Sequence, residues 1–441
     1  MKKYPKYKDS GVKWIGEIPE QWEVSKPKYE TLKPVRYGLN ISSDTYKEEG
    51  VRFIRITDIT ESGELSDNDS PKYLNRTDVP TEFLLNKFDL LLCRSGHTVG
   101  KSYFHQVDGE YTSGGYLVRF NFGNYDFSKY FIYITKSDFY WDWIKLSTIV
   151  STIENVNGEK YSNFDFPLPS LPEQSQIVDF LDHKTTIIDD LIQKKYRKIE
   201  LLKEHRTSII NNTVTKGLNP DVKMKDSGLE WIGEIPEHWL CVLIRHYYRK
   251  IGSGVTPRGG SEVYVENGIT FIRSQNVLFE GLRLDDVVKI TPETHLQMSG
   301  SKVNKGDLLL NITGGSIGRC CVVDTDGEMN VNQHVCIIRT KDSLTPVILN
   351  YFLQSDTGQK QLEFFITGGN REGLTGDSIK NFRVPLPPLP EQHQIVQYLV
   401  QKTNEIDTTI SLENKKIDLL KEFRQSLISE VVTGKIDVRK N

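Results

Sequence analysis

Cysteine is scarce in this chain, and none of it is spaced for chemistry. Five cysteines, Cys93, Cys241, Cys320, Cys321 and Cys336, occur in 441 residues. There is no Cys-x-x-Cys, and an odd number does not build a secreted disulfide framework, so buried reduced thiols are expected. The nine histidines include no His-x-x-x-His and no Cys-His cluster at ligand spacing, which argues against a zinc site. Long apolar runs are also missing. Nothing approaches the roughly 20 residues a membrane span needs, and the opening MKKYPKYK has no apolar export core, so a cytoplasmic location is expected. Charge of one sign is absent too. With 56 Lys and Arg against 59 Asp and Glu, the net charge of −3 excludes an indiscriminate polyanion binder. A nucleic-acid surface would have to come from local arrangement of cations.

What is present is a soluble, globular composition, 37% hydrophobic and 26% charged, long enough for about two to four domains. It is also repeated. DSGVKWIGEIPEQW from Asp9 returns as DSGLEWIGEIPEHW from Asp226, PLPSLPEQSQIV from Pro167 as PLPPLPEQHQIV from Pro385, and LLKEHRTSI from Leu201 as LLKEFRQSL from Leu419. The first block recurs at an offset of 217 and the others at 218. Between them the halves diverge on a matching skeleton: Phe53-Ile54-Arg55 with Phe271-Ile272-Arg273, Asp89-Leu90-Leu91-Leu92 with Asp307-Leu308-Leu309-Leu310, and Gly96 and Gly100 with Gly314 and Gly318. So long a period marks a duplicated domain pair; solenoid repeats run about 20 to 50 residues.

Each copy begins with β-rich runs bounded by turn residues, 51–56, 90–93 and 116–122 in the first and 270–273, 308–312 and 334–339 in the second. Helical stretches at 128–146 and 345–365 follow, which predicts an α+β domain with a small, partly curled sheet. The closely spaced prolines of Pro-Leu-Pro-x-Leu-Pro-Glu-Gln then force extended backbone, and the last suits a helix's first turn. From 172 to 215 nothing interrupts a helix of about 44 residues, roughly 66 Å at 1.5 Å per residue. Its apolar positions form heptads, with Val178, Thr185, Ile192, Ile199 and Arg206 on one track and Leu181, Ile188, Lys195, Leu202 and Ile209 on the other. The second helix carries Val396, Thr403, Ile410, Ile417 and Arg424, then Leu399, Ile406, Glu413, Leu420 and Leu427. Matching seams predict an intramolecular coiled coil, and opposed Lys195 and Glu413 suit an antiparallel, pseudo-two-fold pairing. The competing reading is two separate amphipathic helices, each on its own domain.

The paired order of these elements resembles the specificity subunits of type I restriction-modification enzymes over essentially the whole chain. The resemblance implies two target-recognition domains, 1–166 and 219–384, and two repeated helices, 167–218 and 385–441. Each domain would read half of a bipartite, asymmetric double-stranded DNA site, with the helices as a ruler between half-sites. It implies no catalysis and no cofactor on this chain. Two methyltransferase subunits would methylate adenines with S-adenosylmethionine, and motor/restriction subunits would cleave using ATP and magnesium. The alternative is a coiled-coil scaffold that binds only protein partners.

Candidate DNA contacts lie where the copies differ. The Gly-x-x-x-Gly turns place Arg94, Ser95, His97, Thr98 and Lys101 in the first copy, and Thr313, Ser316 and Arg319 in the second, near backbone that glycine lets approach a phosphate. A tight strand connection with a solvated cation is the plainer reading. After Phe-Ile-Arg come Arg55 and Thr57, against Arg273, Ser274, Gln275 and Asn276; Arg forks onto guanine, and Asn or Gln onto adenine. The next connection offers Tyr111, Thr112 and Tyr116, against Asn332, Gln333 and His334. Thr256 and Arg258 lie in the Gly-Ser-Gly-Val-Thr-Pro-Arg loop, from which the first copy departs with Arg36-Tyr37-Gly38-Leu39-Asn40-Ile41-Ser42. Gly96 to Ser102 imitates a phosphate-binding loop but has three residues between its glycines where four are needed, and the second copy loses the Lys and the hydroxyl. No Asn-Pro-Pro-Tyr-type segment or Gly-rich S-adenosylmethionine loop is present.

Overall fold

The computed structural model describes residues 2–66, 70–148, 155–257, 259, 263–367 and 373–439. The chain divides into two units, one of residues 1–195 with 414–441 and one of 196–413. Each long helix is therefore shared: its two halves belong to different units. Among the described residues, no helix is long and apolar enough to cross a membrane.

In the first unit, Asp89–Cys93 is the central strand of a four-stranded antiparallel sheet in the order Arg36–Tyr37, Leu117–Asn121, Asp89–Cys93, Ser102–Phe104. Its five residues are all buried. A second, three-stranded sheet pairs Val51–Ile54 antiparallel with Lys72–Leu74 and parallel with Tyr111–Ser113. The second unit repeats this plan with a four-stranded sheet around Leu308–Asn311 and a five-stranded sheet around Ile269–Ile272. The α+β class and the small size of the sheets are as expected, but each unit holds two sheets of three or more strands where a single one was expected. The strand at 51–56 stops at Ile54 because the Asp58 carboxylate accepts the Arg55 backbone N–H at 2.9 Å and turns the chain.

Each single helical stretch expected after the sheet is two helices, Tyr125–Thr135 and Asp138–Thr148 in one unit and Pro346–Gln354 and Asp356–Thr367 in the other. The break falls at a fully buried serine in both. Ser137 Oγ donates to the Ile134 carbonyl at 2.6 Å and Ser355 Oγ to that of Phe352 at 2.5 Å, so a side chain ends the first helix in place of the ladder.

The long helices run Leu171–Lys216 and Leu389–Val432, 46 and 44 residues. They pack together within each unit. In the first, Leu181, Ile188, Ile192 and Ile417 are buried and Leu420 is half-buried; in the second, Ile199, Leu399 and Ile406 are buried and Leu202 and Ile410 half-buried. The direction is antiparallel: in the second unit Lys198 pairs with Glu413 at 2.9 Å, whereas Arg206, farther along, pairs with the earlier Asp407 at 3.0 Å. The first unit has the equivalent Arg424–Asp189 pair, also 3.0 Å. Heptad-track Arg206 and Arg424 are thus ion-pairing residues, each bonded to an aspartate of the other long helix.

The repeated Asp-Ser-Gly block is a short hairpin, Tyr7–Asp9 on Glu17–Pro19 and Met224–Asp226 on Glu234–Pro236. It seats a fully buried tryptophan at a helix end, Trp22 against Gly434 and Trp239 against Gly217. The glutamate of the Pro-Glu-Gln element closes the same junction: Glu173 accepts from Tyr4 Oη at 2.7 Å, and Glu391 from Trp239 Nε1 at 3.1 Å.

Candidate nucleic-acid interface

Four of the first copy's candidates, Arg55, Thr57, Arg94 and Tyr116, line one cleft of about 880 Å³. They come from three different connections, which the two sheets bring to one place. The Arg94 guanidinium lies over the Tyr37 and Tyr116 rings, at 4.7 and 5.7 Å from their centroids. Arg55 is oriented by Asp58, which accepts from its Nε at 3.1 Å and its Nη2 at 2.6 Å.

Others of the set point away. Thr98 and Thr112 are buried and their hydroxyls donate to the Ser95 and Phe83 carbonyls, so neither is free to meet a base. Lys101, the cation after the second glycine, is paired with Glu61 at 2.7 Å. Tyr111 is half-buried with its ring 4.9 Å from that of buried His105. Ser95 begins the turn and His97 is exposed on it. The glycines are explained by the turn itself: Gly96, Gly100, Gly314 and Gly318 have φ of 65°, 90°, 71° and 89°, and a Cβ on Gly100 would come within 2.9 Å of Trp141.

The second unit gathers its candidates as a polar chain. Thr256 donates to the Gln333 carboxamide, Gln333 Nε2 lies 2.9 Å from His334 Nε2, and His334 Nδ1 contacts Thr313 Oγ1. Asn332 Oδ1 accepts the His334 backbone N–H at 3.2 Å. Asn311 joins Ser274 and Ser316 by donating to both, at 2.8 and 3.2 Å. Gln275 and Arg319 are exposed, and Gln275 donates to Asp286 at 3.3 Å. Asn276 is the clear correction. It is fully buried, accepts from the Arg273 backbone and donates to the Arg283 and Asp286 carbonyls, so its amide is consumed as a turn cap. Arg273 Nε is buried and has no acceptor among the described residues. Arg258 lies outside the described residues.

The loop whose sequences disagree is the same loop in both units. Gly38 N–H donates to the Leu117 carbonyl at 3.2 Å as Gly254 N–H does to Val335 at 3.1 Å, so the two glycines correspond at an offset of 216. Two residues on, Asn40 occupies the Thr256 position and lines the cleft. Tyr37, Asn40 and Tyr46 were therefore missed. The shared glycine was the available signal, and the two-residue shift hid it.

The model of the type I restriction modification DNA specificity domain matches residues 33–201 and again 252–422. The chain belongs to this family. It is a DNA specificity subunit of the type I restriction-modification class, the recognition component and not the catalytic one. Among similar proteins, the MjaVIII specificity subunit of Methanocaldococcus jannaschii is 26% identical over 381 residues, 85% of each chain. The putative MjaX specificity subunit of the same organism is 25% identical and covers 98% of both. A chain from a structure described for complex assembly and conformational transition of the type I R-M system has the same fold, with a TM-score of 0.73 at 16% identity, covering 95% of this specificity subunit and 99% of its own length.

Proposed function

We propose that the specificity subunit reads a bipartite, asymmetric site in double-stranded DNA, one half with each of the domains 1–166 and 219–384. The observation that carries this is the contrast between matched frames and unmatched surfaces. Equivalent positions that keep the frame agree, such as Phe53 and Phe271, while the clustered polar ones differ, Thr57 against Gln275 and Tyr116 against His334. Two different half-sites call for different side chains on one scaffold. Of the candidates, those with accessible polar groups, Arg55, Thr57, Arg94, Ser95, His97 and Tyr116, then Thr256, Arg273, Ser274, Gln275, Thr313, Ser316, Arg319, Asn332, Gln333 and His334, form the proposed reading set, to which Arg258 is added from sequence.

On this reading two methyltransferase subunits dock on the chain and methylate adenines with S-adenosylmethionine. Motor subunits using ATP and magnesium add cleavage, and the assembly works on chromosomal DNA in the cytoplasm. The repeated segments 167–218 and 385–441 set the spacer. Methylation mapping of a genome that carries this gene and its methyltransferase partner is expected to show one two-part methyladenine motif; absence of any such motif would sink the proposal.

Two variants refine that experiment. Arg273 has no acidic neighbour at the position where Arg55 has Asp58, so its guanidinium is the better placed to meet DNA. Changing Arg273 and Gln275 to alanine is expected to cost about 1–3 kcal/mol per base pair read, hence about five-fold or more in methylation, at one half-site only. Equal loss at both halves would count against the assignment. Inserting one heptad in both helices is expected to alter the spacer and leave the half-sites as they were; altered half-site bases would mean the helices are no ruler.

A further inference from the structure

The first unit contains a concavity that reading an intact duplex does not explain. Side chains that read base edges must project into a groove about 8 Å deep. The cleft beneath Arg94 has the opposite shape, about 880 Å³ with Leu39, Ile41, Tyr46 and Phe53 among its lining. Volumes of that order suit burial of a small ligand.

Its mouth is specifically built. The Arg94 guanidinium is held by the Tyr37 and Tyr116 rings, its Nε is buried without an acceptor among the described residues, and Tyr116 is 57% exposed. The corresponding residues of the second unit are Ser253, Ile312 and His334, which cannot make this stack, although Phe271 and Arg273 preserve Phe53 and Arg55. The device is therefore an addition to the common frame.

We infer that this cleft receives one nucleobase displaced from the duplex stack within the half-site read by the first unit. A displaced base presents apolar faces and a polar edge. The faces match Tyr116 and the apolar lining, and the edge finds donors among the same lining residues, Arg94, Asn40 and Thr57. The inference rests on the DNA-reading proposal above.

The test uses the full chain with its methyltransferase subunits on a duplex that this complex is first shown to methylate. Each purine is replaced in turn by 2-aminopurine and each cytosine by pyrrolocytosine, and thymines are probed with permanganate. One position in the first domain's half-site, other than the methylated adenine, is expected to show a several-fold signal of unstacking. With the duplex saturated by the complex, Tyr116→Ala should return it to the free-duplex level and Tyr116→Phe should keep it. Should a methylating complex unstack nothing but the methylated adenine, or unstack a base only in the other half-site, the inference is overturned while DNA reading stands. A chain that directs no methylation removes both.

Discussion

Trp239→Ala is expected to lower the melting temperature of the second unit by on the order of 10 °C. Trp239 is fully buried, its ring lies within 3.2 Å of where a Cβ on Gly217 would sit, and its Nε1 donates to Glu391. Truncating a buried tryptophan costs about 3–5 kcal/mol. The loss falls where the hairpin, the end of one long helix and the start of the other meet, so nothing nearby collapses to fill the space. Against a domain stability of about 5–15 kcal/mol, that is a large fraction. Hydrogen exchange should place the loss in residues 196–413. Trp239→Phe, which keeps most of the packing and deletes the hydrogen bond to a carboxylate, should cost about 1.5–3 kcal/mol. A Trp239→Ala protein that melts within 2 °C or so of the parent would mean the junction does not hold the unit together.

Asp58→Asn should destabilise the first unit by about 3–5 kcal/mol, and adding Arg52→Thr should restore most of it. Asp58 is buried and meets two cations, Arg52 at 3.3 Å and Arg55 at 2.6 Å. Arg52 is itself only 8% exposed, so losing the carboxylate leaves a buried guanidinium uncompensated. The second unit solves the same turn without the charge. Its residues at these positions are Thr270 and Asn276, with Arg273 retained, and Asn276 caps through neutral hydrogen bonds. The double variant therefore copies a pairing the protein already uses. Urea unfolding of the two single variants and the double completes the cycle; a double variant as unstable as Asp58→Asn alone would mean that the buried charge was not the cause.

Asn276 and Asp58 show what a linear pattern does not carry. Asn276 had the right chemistry for adenine and the right place after Phe-Ile-Arg, yet burial makes it a cap, and Asp58 at the same position in the other copy does the same work with a charge. Periodicity cannot distinguish an amide turned outward from one turned in. Likewise the stretches 128–146 and 345–365 have continuous helical pattern, but buried Ser137 and Ser355 end one helix and permit another, which depends on the surrounding core and not on propensity.

By itself the sequence determined the duplication, the α+β class, the two long helices and their antiparallel match, because repeated blocks and heptad spacing are local and linear properties of the chain. Only the tertiary structure decided which polar residues share a surface. Arg55, Thr57, Arg94 and Tyr116 are brought to one cleft by pairing of Val51–Ile54 with Tyr111–Ser113 and of Asp89–Cys93 with Leu117–Asn121. Asn40 joins them through a glycine contact shifted by two residues from the repeat. Strand pairing joins residues tens of positions apart, and no linear period encodes that.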